Sequence, residues 1–309
     1  MARFPALASL APARLGTYPS PVTQVGTLWI KRDDLNAPIA GGNKVRALEW
    51  LLGGLAPGTT VITGGGEGST HVLATAIHAA QLGASTEAAL WRHEMHPIAD
   101  RVAAASARAC ARTSVSDTVA GALVRLALLR LQRPDARYVP LGGASARGTL
   151  GHVGGALELA GQIAAGELPV PSLVVVPLGT GGTAAGLALG FGIAGIATTV
   201  VAARVVPWYA FPGRRIGRLI RETRALLARE TGVAPDRLPA VPVRVDHSVH
   251  GGAYGRPLPD VPGIAGLTLD DTYSAKAAAL ARRLSAQRLA DAAAGPVLFW
   301  MTFGARFPE

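Results

Sequence analysis

Four short segments carry residue types that could do chemistry together. The first is Gly41-Gly42-Asn43-Lys44-Val45-Arg46, which leads into the helical pattern Ala47-Leu48-Glu49-Trp50-Leu51-Leu52. A glycine pair ahead of a helix lets the backbone approach a ligand closely. It also sets Lys44 in the first turn, where the positive end of the helix dipole disfavours a second positive charge. An amine held there has a lowered pKa, as an imine-forming lysine requires. The plain alternative is a surface lysine at a loop–helix junction. Lysine is scarce, however: only Lys31, Lys44 and Lys276 occur among the 30 basic residues.

The second segment, Pro177-Leu178-Gly179-Thr180-Gly181-Gly182-Thr183, follows a buried-strand pattern and opens another helix. Backbone N–H groups and threonine hydroxyls at a helix N-terminus form an anion cradle suited to a phosphate. It lacks the Lys-Ser/Thr ending of a nucleoside-triphosphate loop, and no acidic residue follows about twenty positions on for a ribose. A tight strand-to-helix turn is the structural alternative. The third, Thr63-Gly64-Gly65-Gly66-Glu67-Gly68-Ser69-Thr70-His71, also joins a strand to a helix. Ser69 or Thr70 could simply cap that helix; functionally the turn is a second anion site, for a substrate carboxylate. The fourth pairs Gly251-Gly252-Ala253-Tyr254-Gly255 with Asp270-Asp271-Thr272-Tyr273-Ser274-Ala275-Lys276. Two of only five tyrosines thus sit in polar or glycine-rich settings, aimed at a cleft or, more plainly, buried near a helix start.

Something must position these segments, and the rest of the chain reads as the scaffold. Its 309 residues are 49% hydrophobic and 16% charged, with mean hydropathy +0.30, a core-building composition rather than a disordered one. At roughly 150 residues per domain this is one large domain or two modest ones. No apolar run reaches the roughly 18 residues of a membrane span, and Pro5, Pro12 and Pro19 argue against a secretory leader. A cytoplasmic location is expected. The single cysteine, Cys110, excludes an intrachain disulfide and a cysteine-cluster metal site, and His71 has no partner at zinc-ligand spacing. The net charge of +10 comes from dispersed arginines with no interleaved aromatic platform. It therefore suits anionic small molecules better than nucleic acid.

Strand-like runs at 28–31, 60–63, 86–91, 137–140, 173–177, 198–205 and 296–302 alternate with helical patterns. The helical patterns lie near 44–54, 69–83, 98–112, 118–132, 148–165, 182–194, 214–231 and 271–290. That alternation predicts an α/β fold with parallel sheets covered by helices. The Pro-rich stretch 235–262 reads as a long ordered loop.

Taken together, the four segments resemble the D-cysteine desulfhydrase / 1-aminocyclopropane-1-carboxylate deaminase family of pyridoxal-phosphate enzymes, which have the tryptophan-synthase-β-like fold (fold type II). The similarity begins at Arg3-Phe4-Pro5 and Tyr18-Pro19-Ser20-Pro21 and runs through Leu28-Trp29-Ile30-Lys31-Arg32-Asp33-Asp34-Leu35 and the lysine block. It continues through Gly142-Gly143-Ala144-Ser145, Gly148-Thr149-Leu150-Gly151 and the glycine loop, and ends with Asp271–Lys276 and Met301-Thr302-Phe303-Gly304. Nearly the whole chain is covered.

The resemblance implies two parallel-sheet α/β domains with the active site between them. A large cofactor domain would comprise 1–49 and 157–309, a smaller inserted one 50–156, and the chain would form a homodimer. It implies that Lys44 carries pyridoxal 5'-phosphate as an imine, with Asn43 among the cofactor contacts. Gly179, Thr180, Gly181, Gly182 and Thr183 would hold the phosphate, and Ser69 the substrate carboxylate. Tyr254 and Tyr273 would lie near the substrate amine and Cβ, and Thr302 would set a hydroxyl at the pyridine nitrogen. A neutral hydroxyl there leaves the ring a weaker electron sink than a carboxylate would, which suits β-elimination. The deaminase branch tends to carry Glu after the tyrosine and an apolar residue at the C-terminal position; Ser274 and Thr302 here favour the desulfhydrase branch. The implied reaction is β-elimination from D-cysteine or a related β-substituted amino acid to pyruvate, ammonia and sulfide. A cyclopropane-amino-acid deaminase, a cysteate sulfo-lyase and a non-catalytic cofactor-binding protein are the alternatives.

The chain departs from the family at three places. Gln-Ser-Asn-His becomes Gly68-Ser69-Thr70-His71, so Thr70 replaces the usual Asn contact to the cofactor's 3-hydroxyl. Gly64-Gly65-Gly66-Glu67 reads as unusually flexible and brings a carboxylate close to the cleft. Met301-Thr302-Phe303-Gly304 replaces His-Thr-Gly-Gly and sets bulk near the ring.

Overall fold

The computed structural model describes residues 4–206, 214–252, 254–259, 261–288 and 295–308. Arg3 and positions 289–290 of the last expected helix lie outside them. Within them the chain folds as two mostly parallel sheets with helices packed on their faces, the α/β class expected.

The larger sheet has six strands: β1 (Val22–Val25), β2 (Leu28–Arg32), β7 (Leu173–Leu178), β8 (Thr199–Arg204), β9 (Val243–Asp246) and β10 (Val297–Met301), in the order β1-β2-β10-β7-β8-β9. The central strands are buried on both faces, which is why Leu-Val-Val-Val-Pro-Leu and Val-Leu-Phe-Trp-Met read as unbroken apolar runs. One face packs against α5 (Ala146–Ala164), α6 (Gly182–Ala194) and α7 (Arg215–Thr231) through residues such as Val176, Phe191 and Trp300. The other packs against α8 (Ser274–Arg288) through Ile30, Phe299 and Leu280.

The smaller sheet is formed by β3 (Thr60–Gly66), β4 (Ser85–Trp91), β5 (Arg112–Ser116) and β6 (Arg137–Tyr138), all parallel, in the order β5-β4-β3-β6. With it pack α2 (Thr70–Gln81), α3 (Pro97–Ala109) and α4 (Val119–Gln132). Helix α1 (Asn43–Leu51) joins the two halves: Leu48 and Leu51 pack with Val61 of β3, while Trp50 packs with Leu150 and Val153 of α5.

Three strands escaped the sequence reading, and all are sheet edges. β1 pairs antiparallel with β2, β9 lies inside the Pro-rich stretch, and β5 begins where the third helix was expected to end. Edge strands bury one face at most, so Val-Thr-Gln-Val and Arg-Thr-Ser-Val-Ser show no apolar run. A correction also falls on Gly64-Gly65-Gly66. They are not a flexible loop but the end of β3, buried and paired with Ala89, Leu90 and Trp91 of β4. Glycine is needed there because the backbone runs against a side chain: a Cβ on Gly65 would lie 2.8 Å from Ser69 Oγ.

Candidate active site

Lys44 is the second residue of α1, behind Gly42 at φ 124°. Only glycine tolerates this turn: the backbone conformation is disfavoured for L-residues, and a Cβ would lie 2.3 Å from the Thr302 carbonyl oxygen. That carbonyl accepts the Asn43 N–H at 3.2 Å, which ties the lysine turn to the end of β10. The Lys44 amine is pushed down to about 8 by burial, against a partly offsetting attraction from Asp270. The direction matches the sequence expectation; the dominant cause is desolvation.

The glycine loop sits at the N-terminus of α6, capped by Gly181 in the left-handed conformation with no side-chain capping bond. The first-turn N–H groups are therefore left for an outside acceptor. Asn43 Nδ2 donates to Thr183 Oγ1 at 2.8 Å, joining the lysine block to this loop. From the other side Tyr273 approaches: its Cε1 lies 3.1 Å from where a Gly179 Cβ would be.

Ser69 holds the N-cap position of α2 but makes no side-chain capping bond, so its hydroxyl is not spent on the helix. Ser69 and Thr70 share a cavity wall with His93, Tyr254, Tyr273 and Phe303. The Tyr254 and Tyr273 hydroxyls are 2.7 Å apart, with the rings edge to face at 6.1 Å. Burial pushes the Tyr254 phenol up to about 12 and moves Tyr273 the same way, so both are protonated at neutral pH. One phenol donates to the other, and the second proton remains available to a ligand. Tyr273 is aimed by Asp270, whose carboxylate accepts the Tyr273 N–H at 2.8 Å and the Ser274 N–H at 2.9 Å at the start of α8.

The structure thus gathers the sequence candidates into two linked groups: Asn43, Thr183 and Thr302 around the Lys44 turn, and Ser69, Thr70, Tyr254 and Tyr273 around one cavity. Met301 is turned into the core, whereas Phe303 does line the cavity. Glu67 contributes its backbone: its carbonyl oxygen lies 2.7 Å from His93 Nε2. Sequence reasoning missed His93, which stands edge-on to Tyr254 at 4.9 Å, and the role of Asp270. An acidic residue three positions before a helix-start tyrosine was the available signal for Asp270. Nothing local marks His93, which meets Tyr254 only through the fold. Among the described residues no cluster of three or more His, Cys, Asp or Glu could hold a metal ion, and no helix is long and apolar enough to cross a membrane.

A parallel α/β frame with a low-pKa lysine beside a glycine loop at a helix N-terminus defines a class, that of lysine-dependent pyridoxal-phosphate enzymes. The donor set fits this cofactor: an amine for its aldehyde, a glycine-rich helix N-terminus with threonine hydroxyls for its phosphate, and a 2.8 Å bond between the two segments. Residues 12–254 match the model of the family described as pyridoxal-phosphate dependent enzyme, and the chain belongs to that family. It is 35% identical over 287 residues to nocardicin C-9' epimerase of Nocardia uniformis subsp. tsuyamanensis, covering 86% of this chain and 84% of the relative. It is 32% identical over 302 residues to D-cysteine desulfhydrase of Yersinia pestis (strain Pestoides F), covering 90% and 86%. A crystal structure of an ACC deaminase homologue superposes with TM-score 0.77 at 27% identity, covering 97% of this chain and 93% of that one. The protein is a pyridoxal-phosphate-dependent enzyme of the ACC deaminase / D-cysteine desulfhydrase group.

Proposed function

We propose that the protein removes the Cα proton of a free amino acid and expels a β-substituent, with D-cysteine the leading substrate. Sulfide leaves, and the 2-aminoacrylate released tautomerises to its imine and is hydrolysed by water to pyruvate and ammonia. When bound, pyridoxal phosphate acidifies the Cα–H and accepts the electron pair. Everything else falls to the chain. Lys44 would hold the cofactor and, as a free amine, would take the Cα proton; an amine with a pKa near 8 is neutral often enough at physiological pH to act as a base. Gly179–Thr183 bind the phosphate through the N-terminus of α6, with Asn43 steadying Thr183. Ser69 holds the substrate carboxylate at the α2 N-terminus, where the helix dipole favours an anion, and Thr70 beside it is the contact for the cofactor's 3-hydroxyl. Thr302, whose carbonyl is fixed by Asn43, places its hydroxyl at the pyridine nitrogen. The Tyr254–Tyr273 pair gives a proton to the departing group.

The observation that carries this reading is the phenol pair: two protonated tyrosines, 2.7 Å apart, in the wall that also holds Ser69. It also favours a second reading, in line with the epimerase relative. The same pair could return a proton to Cα from the side away from Lys44, inverting the centre with no leaving group. One experiment separates the two. Cofactor-loaded protein is given D- and L-cysteine in deuterated water, and sulfide, pyruvate and deuterium at Cα are measured. Sulfide and pyruvate from the D isomer support elimination. Deuterium exchange with inversion and no sulfide supports epimerisation, and no exchange of any amino acid tested overturns both.

A further inference from the structure

Behind the glycine loop lies a histidine that the proposed chemistry does not use. His152, in the second turn of α5, is 3% exposed, and its Nε2 lies 3.4 Å from Thr183 Oγ1. Thr183 Oγ1 already accepts from Asn43 Nδ2 at 2.8 Å. The other ring nitrogen of His152, Nδ1, is buried with no hydrogen-bond partner. Burial, reinforced by the charges of Lys44 and Arg46, holds the imidazole well below its ordinary range, so it is neutral and carries one N–H.

The position of that proton follows from what each tautomer leaves unpaired. With hydrogen on Nδ1, a buried N–H would have no acceptor, the costlier defect. With hydrogen on Nε2, the N–H meets Thr183 and only a bare lone pair remains at Nδ1.

We propose that His152 is a positioning residue for the cofactor's phosphate. With Asn43 it occupies both lone pairs of the Thr183 oxygen and so leaves the Thr183 hydroxyl proton free to donate to a phosphate oxygen. A threonine hydroxyl can otherwise turn its proton either way; flanked by two donors it can only give. A hydrogen bond to a charged acceptor is among the stronger kinds, so fixing its direction before the ligand arrives favours binding.

This inference rests on the phosphate lying at Gly179–Thr183, and its test reads cofactor binding rather than turnover. Apo-protein is titrated with pyridoxal phosphate and, separately, with pyridoxal, which lacks the phosphate. His152→Phe should weaken pyridoxal phosphate about five- to tenfold, as expected for one charge-assisted hydrogen bond degraded, and leave pyridoxal unchanged. His152→Gln, whose amide can stand in for Nε2–H, should restore most of the loss. In a Thr183→Val background, His152→Phe should add less than about a twofold effect. Should the Phe variant not fold, His152→Asn, whose amide is too short to reach Thr183, should show the same loss in the same cycle. Unchanged phosphate-dependent affinity, an equal loss for pyridoxal, or a full loss persisting without the Thr183 hydroxyl would each overturn the proposal. If Thr183→Val itself leaves pyridoxal phosphate binding unchanged, the placement of the phosphate fails and the proposal with it. If only His152 proves silent, the phosphate site stands and this role alone falls.

Discussion

Two buried polar regions flank α1, one beneath Arg46 and one around Lys44. Residues two apart on a helix point about 200° away from each other, so the same helix serves both. Beneath it, the Arg46 guanidinium grips Asp33 through Nε at 2.8 Å and Nη2 at 2.7 Å, and Glu158 through Nη1 and Nη2 at 3.0 Å. Trp300 Nε1 donates to Asp33 at 2.7 Å, and Lys31 meets Glu158, Gln162 and the Ser20 carbonyl. Two cations and two anions cancel, and each carboxylate is held by several donors. On the cleft side Lys44 has a lowered pKa, and His71 and His152 each keep a nitrogen without a partner. The network beneath Arg46 is scaffold. A closed, neutral network fixes α1 between β2, α5 and β10, whereas the cleft keeps its amine, phenol and hydroxyl capacity for a ligand.

The sharpest way to break that contrast is at Lys44. Lys44→Ala should remove the visible absorbance of lysine-bound cofactor and cut turnover about 10³-fold or more, the scale of losing a general base; persistence of both would sink the assignment. The same substitution should stabilise the apo-protein at neutral pH. A lysine whose folded pKa is about 8, against 10.5 unfolded, binds fewer protons folded than unfolded, so it destabilises below pH 8. That penalty is relieved as pH rises from 8 to 10.5. The melting temperature of wild-type apo-protein should therefore climb toward that of Lys44→Ala over this range, and parallel curves would refute the burial argument.

On the network side the sign reverses. Asp33→Ala leaves Arg46 and Trp300 without their shared acceptor and should cost about 3–5 kcal/mol, as removing one partner of a buried pair does. In a chain of this size a melting shift of about 10 °C should report it. Burial alone would raise the Asp33 carboxyl, but Arg46 beside it, with Trp300 and Lys31, holds it below the ordinary 3.8. Its contribution is thus complete above about pH 4 and lost as pH falls further. Acid melting of the wild type should show this extra loss below pH 4, and Asp33→Ala should lack it.

The candidate segments were legible in the sequence because each is local. Gly41–Lys44 and Gly179–Thr183 announce themselves as glycine turns opening helices, and the apolar runs of β7 and β10 mark the buried sheet. The resemblance then ordered these pieces into one fold. What stayed hidden was relational. Glu158 lies 112 residues from Arg46, and nothing in the spacing of Asp33, Arg46 and Glu158 says that they converge on the face of α1 away from Lys44. His152 reads as one more helix residue until α6 brings Thr183 beside it. The edge strands were hidden for another reason, because half-exposed strands carry polar residues that imitate loops.

The mildest substitution tests whether the cleft's unspent hydroxyl is the functional one. Ser69 has the position of a helix cap without the capping bond, so removing its oxygen should cost α2 little. Ser69→Ala is therefore expected to melt within about 0.5 kcal/mol of wild type, the range of substitutions that break no named interaction. A hydroxyl that binds a substrate carboxylate instead contributes a charge-assisted bond, and losing it should raise KM about tenfold. Because that bond serves bound substrate and transition state alike, kcat should fall much less than KM rises. Steady-state kinetics on the best amino-acid substrate, beside a melting curve, separates the outcomes. A lower melting temperature with unchanged KM would make Ser69 a structural cap after all and move the carboxylate site elsewhere in the cavity wall.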